Sequence, residues 1–156
     1  MGLSHDILND PVAELSMRQV ITVTGDTPVR QAVSQMQRQR LGCVVVVDTD
    51  NRPIGKFTER LLIKLLTQAP GSLDGPVKDQ MASVWAWVET TDPIAKVIQC
   101  MEHDKLRFVI VIDEHGHPIG LTGQKGVLKY IADHFPRQVM VQQPDPKLHM
   151  DQREGA

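Results

Sequence analysis

Two apolar, largely β-branched runs stand out of an otherwise mixed chain: residues 41–48 read LGCVVVVD and residues 106–113 read LRFVIVID. Each ends in Asp, passes through a polar turn, resumes at Pro-Ile-Gly (53–55 and 118–120) and enters a helical pattern. Runs of this length bounded by turn residues predict buried strands. Ahead of the first run, Asp10-Pro11 opens a short helical pattern with Val12, Leu15 and Met17 on one side. Residues 20–23 (VITV) predict a short strand, and Gly25-Asp26 a turn. Thr27 is placed to cap a helix that starts at Pro28, where a missing N–H costs nothing. Val29, Ala32, Val33 and Met36 fall on one face of that helix, Arg30, Gln31, Gln37 and Arg38 on the other. Strand 43–47, turn 50–52, strand 54–57 and a helix from Thr58 to about Gln68 complete the unit. The last helix carries Leu61, Leu62, Ile63, Leu65 and Leu66, so it is apolar nearly all round. One buried face cannot cover it; it serves either the core between two halves or a second subunit.

The whole pattern then recurs 65 residues later. Pro11 maps to Pro76, Pro28 to Pro93, Met36 to Met101, Leu41 to Leu106, Asp48 to Asp113, Pro53 to Pro118, Gly55 to Gly120 and Lys64 to Lys129. Residues 11–66 align with 76–131 without a gap and with roughly a dozen identities, which chance does not produce. The second copy predicts a strand at 84–88 and a helix capped by Asp92 with Pro93 at its start, its core stripe Ile94, Val97, Ile98 and Met101. Strands 108–112 and 119–122, the turn 114–117 and a helix to about Phe135 follow. The organisation read from this is an N-terminal segment (1–10), a first unit (11–68), a Pro/Gly-rich linker (69–75), a second unit (76–136) and a polar, flexible C-terminal tail (137–156), with a short edge strand possible at 139–141.

The order strand, Thr-Pro helix, β-branched strand ending in Asp, polar turn, Pro-Ile-Gly strand and Thr-Glu-Arg helix start resembles the cystathionine β-synthase (CBS) domain. Two in tandem resemble a CBS pair, or Bateman module, over about residues 11–136. The resemblance implies an α/β fold: two βαββα units related by a pseudo-two-fold, sheets packed together and helices outside. It also implies clefts between the halves that take an adenosine-type ligand (AMP, ADP, ATP or S-adenosylmethionine), and a homodimer through the module helices. In the family the base rests on the first strand and the start of the second. A Gly-x-x-Thr-x-x-Asp pattern meets phosphate and ribose at a helix start, where free N–H groups favour an anion.

Carried onto this chain, the first cleft is Val20, Ile21, Thr22, Cys43, Thr58 and Arg60, with Gly55 and Thr58 in place and Leu61 where the Asp belongs. The second keeps Gly120 but has Gly123 and Gly126 for the Thr and Asp, and Thr122 stands one position early. A hydrogen bond to a carboxylate is worth about 1.5–3 kcal/mol, so its loss turns a micromolar site into a weak one. Thr58 is equally suited to capping its helix, and Arg60 and its equivalent Lys125 either meet phosphate or are simply solvated. Trp85 and Trp87 take the places of Val20 and Thr22 and alternate along one strand face. An indole there either fills the cleft or stacks on a planar ring; two indoles leave little room, which favours filling.

Composition narrows the function classes. The 156 residues, 41% hydrophobic and 23% charged, suit one compact body or two small halves sharing a core. A net charge of −2 offers no field for nucleic acid or anionic lipid. No apolar run approaches a membrane span, and no signal peptide is read at the N-terminus. Two cysteines, Cys43 and Cys100, are too few for a disulfide framework and point to the cytoplasm. His115-Gly-His117 lacks the company of ligand-spaced carboxylates or thiols, so no metal site is expected, and no nucleophile or phosphate-cradling motif is present. The expectation is therefore not an enzyme. It is a free-standing regulatory module that binds an adenosine-type nucleotide weakly in a partly degenerate cleft, signals through a homodimer and acts on an unidentified regulated protein. The alternative is a ligand-free interaction or dimerisation module with occluded sites.

Overall fold

The computed structural model describes residues 3–83 and 86–135. Its elements, in order, are α1 (Leu3–Asn9), β1 (Thr22–Thr24), α2 (Val29–Gln39), β2 (Cys43–Val47), β3 (Pro53–Thr58), α3 (Glu59–Gln68), β4 (Ala82–Ser83), β5 (Trp87–Glu89), α4 (Ile94–Asp104), β6 (Phe108–Ile112), β7 (Pro118–Gly123) and α5 (Gln124–His134). Short 3-10 turns lie at Val12–Glu14, Pro70–Asp74 and Val77–Asp79. One sheet runs β1-β2-β3-β4 and the other β5-β6-β7. In each, the first strand is parallel to the second and the second antiparallel to the third. This is the α/β fold of two related units.

The β-branched runs have two buried faces, which explains why they do not alternate with polar residues. Val44 and Val46 face the helices with Val29, Ala32, Met36 and Leu65, while Val109 and Val111 face Ile94, Val97, Val127 and Tyr130. The opposite face brings Cys43, Val45 and Val47 against Ile110, Ile112 and Leu121, the layer between the sheets. Each fully buried valine is worth about 1.5–3 kcal/mol, so these eight-residue runs anchor the whole molecule.

The Asp that closes each run makes its hairpin. Asp48 accepts the backbone N–H groups of Asp50 and Arg52, both at 2.9 Å, and Asp113 those of His115 and His117, also at 2.9 Å. Helices α2 and α4 stop the same way: Arg40 and Lys105 take the left-handed conformation, and Leu41 and Leu106 donate back to Met36 and Met101 at 3.0 and 3.2 Å.

Several expectations are corrected. Thr27 and Asp92 do not cap their helices; Pro28 and Pro93 hold the cap positions without a side-chain bond. Thr27 meets Thr24 at 3.2 Å instead, and Asp92 accepts from the Glu89 N–H and from Lys96, each at 2.7 Å. The strand expected at 20–23 runs from Thr22 to Thr24, one residue past the expected end, with Ile21 O already accepting the Val45 N–H and Val20 packed on the layer between the sheets. Of the strand expected at 84–88, the described part falls in β5, which starts at Trp87 and pairs with β6; β4, which precedes the expected strand, pairs with β3 of the other sheet. Residues 84–85, and the tail and edge strand expected beyond 136, lie outside the described residues.

The unit that repeats in sequence is not the unit that packs in space. Ile7, Val12, Leu15 and Met17, ahead of the first β1, pack into the second half. Leu73, Val77 and Met81, ahead of β5, pack into the first. Arg18 exchanges two backbone hydrogen bonds with Leu121 (2.8 and 3.0 Å), and Tyr130, buried in α5, donates its hydroxyl to Asp10. Each half is thus closed by the segment that precedes the other.

Candidate functional site

The first cleft forms where β1, β2, β3 and α3 begin or end together. Val45 donates its N–H to Ile21 O at 2.8 Å, Thr22 sits opposite Val45, and Cys43 sits opposite Thr58. Val20 packs half-buried on the layer between the sheets, and Thr22 is exposed. Four of the expected residues, Ile21, Thr22, Cys43 and Thr58, therefore lie on neighbouring strands; Thr22, Cys43 and Thr58 share the inter-sheet face, whereas Ile21 turns into the helix-side core. Arg60 is exposed on the first turn of α3, with no structural feature drawing it inward.

Thr58 is the N-cap of α3: its hydroxyl oxygen accepts the Leu61 N–H at 3.4 Å, a long bond. Leu61 turns its side chain to the helix-side core, beside Leu62 and Leu65, not toward a ligand. Burial pushes the Cys43 thiol up to about 11, which keeps it protonated at neutral pH. The positive charges of Lys56 and Arg18 oppose that shift. Lys56 lies on β3 opposite Val45 and holds its ammonium 5.4 Å from the Phe108 ring centre. Arg18 arrives on the segment paired with Leu121.

Neither cation was singled out in the sequence. Lys56 occupies an ordinary strand position, and Arg18 belongs to a segment whose partner lies about a hundred residues away, so no local spacing signals either.

The second cleft differs at every matched place. Phe108 stands opposite Gly123 where Cys43 stands opposite Thr58. Trp87, opposite Ile110, keeps 41% of its surface exposed, so it borders the inter-sheet layer without being sealed in it. Trp85 lies outside the described residues. Helix α5 starts at Gly123 without a side-chain cap. A Cβ on Gly123 would lie 2.3 Å from Arg107 O, and one on Gly126 would lie 2.6 Å from the Thr122 hydroxyl and 2.9 Å from Ser16 O. Thr122 is buried and donates to that same Ser16 carbonyl at 3.3 Å. The Arg107 carbonyl thus occupies the space a Thr at position 123 would need, and the Thr122 hydroxyl and Ser16 carbonyl that of an Asp at position 126.

The histidines of the second hairpin lie with ring centres 6.0 Å apart, and Asp113 is held well below the usual carboxylate range by the His117 N–H foremost, and by that of His115. Among the described residues, no three His, Cys, Asp or Glu side chains come together in a way that could hold a metal ion. No described helix is long and apolar enough to cross a membrane.

A family model of the CBS domain matches residues 12–68 and again 81–133. A CBS-domain-containing protein from Agrobacterium tumefaciens is 28% identical, with a TM-score of 0.62 over 72% of this chain and 89% of its own. A CBS domain protein from Pyrobaculum aerophilum, solved in complex with AMP, is 23% identical, with a TM-score of 0.67 over 79% and 98%. The CBS domain pair of protein MJ0100, solved with 5′-methylthioadenosine and S-adenosylmethionine, is 17% identical, with a TM-score of 0.66 over 79% and 96%. With two model matches in register with the two copies, and the same fold in solved pairs, the chain belongs to the CBS-domain family as a tandem CBS pair.

Proposed function

We propose that this CBS pair is a regulatory module, without catalytic activity of its own, that binds an adenosine-type nucleotide in the first cleft and reports its occupancy through a homodimer to a regulated protein. The observation that carries the reading is the meeting of Thr22, Cys43 and Thr58 on one face of the first sheet at the start of α3. The small side chains of exposed Thr22 and half-buried Thr58 suit a planar base. The α3 start suits phosphate. That pairs of this fold have been solved with AMP, and with S-adenosylmethionine and 5′-methylthioadenosine, supports the ligand class. Leu61 lacks the carboxylate that ribose hydroxyls would meet, so we expect weak binding.

The dimer face we assign to α3 and α5. Ile63 and Leu128, equivalent in the repeat, are 64% and 66% exposed, and Leu66 is 46% exposed beside Ile63. Solvated leucines repeated on both halves suit burial against a second copy. Cys43 and Cys100, not joined in a disulfide, suit a reducing compartment, and the cytoplasm is the location we propose.

A second reading, an interaction module without a ligand, is favoured by the second cleft, where Phe108, Trp87 and the Ser16 carbonyl take up the space. A thermal-shift titration with AMP, ADP, ATP and S-adenosylmethionine separates the two. A ligand that binds only the native state at 100 times its Kd stabilises it by about 2.7 kcal/mol, a shift of several degrees. No shift with any of them at millimolar concentration overturns the nucleotide reading. Sedimentation of the parent and of Ile63→Lys/Leu128→Lys tests the dimer; a monomeric parent overturns that part.

A further inference from the structure

We propose that α1 is a displaceable cover of the second half: it opens while the rest of that half stays folded, and the face of α4 it leaves is a seat for an amphipathic helix of a partner protein. The moving piece has a sharp boundary. From Asp10 onward the chain is pinned to the second half. Asp10 O accepts the Ile94 N–H at 2.9 Å, and its carboxylate accepts the Tyr130 hydroxyl. Val12 and Ala13 donate to Asp92 O and Thr90 O at 2.8 and 3.0 Å, and Val12 and Leu15 are buried. Ahead of Asp10 the hold is slight. Helix α1 lies on α4, and half-buried Ile7 joins the apolar cluster of Ile98, Cys100 and Met101, while Leu8 is exposed. Asn9 donates to His5 O at 2.6 Å and His5 meets Asp6 at 3.5 Å, so these polar groups bond within α1 and not to its seat. A helix of seven residues has no stability of its own in water; the seat makes it.

The repeat supplies the contrast. Residues 5–9 match Pro70–Asp74, the 3-10 turn that packs on α2 and α3 of the first half. There Leu73, the counterpart of Leu8, packs into the core, and Asp74 takes Arg30 of α2 in a two-pronged pair at 2.9 and 3.5 Å. The matched residues of the second half are Asn9 and Ala95, so the clasp is missing and Ile7 is the apolar anchor that remains. Segments held by so few buried contacts open far more readily than the core they cover. The present occupant also shows what fits the seat: a short helix laid along α4 with an aliphatic side chain in the cluster.

Native-state hydrogen exchange on the full chain tests the opening. The amides of residues 7–9 should exchange at least about 100-fold faster than those of Val12, Ala13 and Ile94, because they open without the core. If the two groups exchange together, α1 opens only with its half and the proposal falls. The seat is tested with a fluorescein-labelled synthetic peptide of residues 1–11 and the full-length variant Ile7→Lys, whose own α1 loses its apolar anchor. Removing that tethered competitor should make the peptide bind at least about tenfold tighter than it binds the parent. Equal binding, or none to either protein at millimolar peptide, overturns the seat. Sedimentation of Ile63→Lys/Leu128→Lys, with and without Ile7→Lys, tests the other occupant. Ile7→Lys should change nothing there; a dimer that survives the first two substitutions and is lost with the third gives the seat to α1 of a second copy and overturns the partner protein.

Discussion

The two clefts of this molecule began as one sequence and now differ at each place where a ligand would be met. Going from first to second, Thr22 becomes Trp87, Cys43 becomes Phe108, Lys56 becomes Leu121, Thr58 becomes Gly123 and Leu61 becomes Gly126. Thr22 and Cys43 give way to larger side chains and Lys56 to an uncharged one, while the helix-start positions shrink to hydrogen. The glycines are not spare room: backbone carbonyls of Arg107 and Ser16 stand where their side chains would be. The segment around Arg18 contributes to this. It pairs with Leu121, whereas Ser83, its counterpart, pairs with Gly55, so it sits one residue further along its strand than the repeat would place it. In this register the Ser16 carbonyl lies 2.9 Å from where a Gly126 Cβ would be. The comparison teaches that a duplicated module can keep its core and its turns while one cleft is filled from within by its own N-terminal segment.

The largest effect should come from restoring the family's Asp in the second half. Gly126→Asp forces a carboxylate against Thr122 and Ser16 O, and should destabilise the protein by about 3 kcal/mol or more, read as a lower midpoint in urea unfolding. A variant as stable as the parent would show that the N-terminal segment yields easily, and that the second cleft can reopen. The matching change in the first half should behave differently. Leu61→Asp removes a half-buried side chain at a cost of about 1–2 kcal/mol. It should also tighten nucleotide by roughly tenfold if ribose lies there, as calorimetry would show. Unchanged binding would make Leu61 simply core.

Transplanting bulk sharpens the same contrast. Cys43→Phe places the second half's aromatic in the first cleft; overpacking the layer should cost about 1–3 kcal/mol and abolish the nucleotide-dependent thermal shift. A shift that persists would put the ligand elsewhere. The smallest effect concerns the hairpins. Asp113 is held below its ordinary value by the His117 and His115 N–H groups, so its stabilising contribution is present above the ordinary carboxylate range and is lost as pH falls through its lowered value. Asp113→Asn should therefore be less stable than the parent at neutral pH, and the two melting curves should converge in acid. A difference independent of pH would assign the turn's stability to shape alone.

Much of this was legible in the chain. The repeat, the strand order, the Asp-closed hairpins and the helices from Val29, Thr58 and Ile94 follow from local chemistry: β-branched runs, Pro at helix starts, Asp in turns. The Leu61 vacancy was visible too, because a motif is read by spacing. Other features were not. Thr27 and Asp92 look like caps by type and position, yet the Pro that follows each takes the cap position, and both side chains bond elsewhere. The helical pattern at Leu61–Leu66 showed excess apolar surface but not which residues stay exposed; packing chose Ile63 and Leu66. Trp87 reads as a plug, yet only part of its indole is covered.

What the sequence determined by itself was therefore the duplicated unit, its elements and the family they belong to, since these depend on residues within a few positions of one another. Only the tertiary structure decided that each half is closed by the segment preceding the other, that Ser16 fills the place of the missing Asp, and that Lys56 of the first sheet reaches the Phe108 ring of the second. Those are meetings between residues far apart in the chain, and their registers are set by packing against partners that no local pattern specifies.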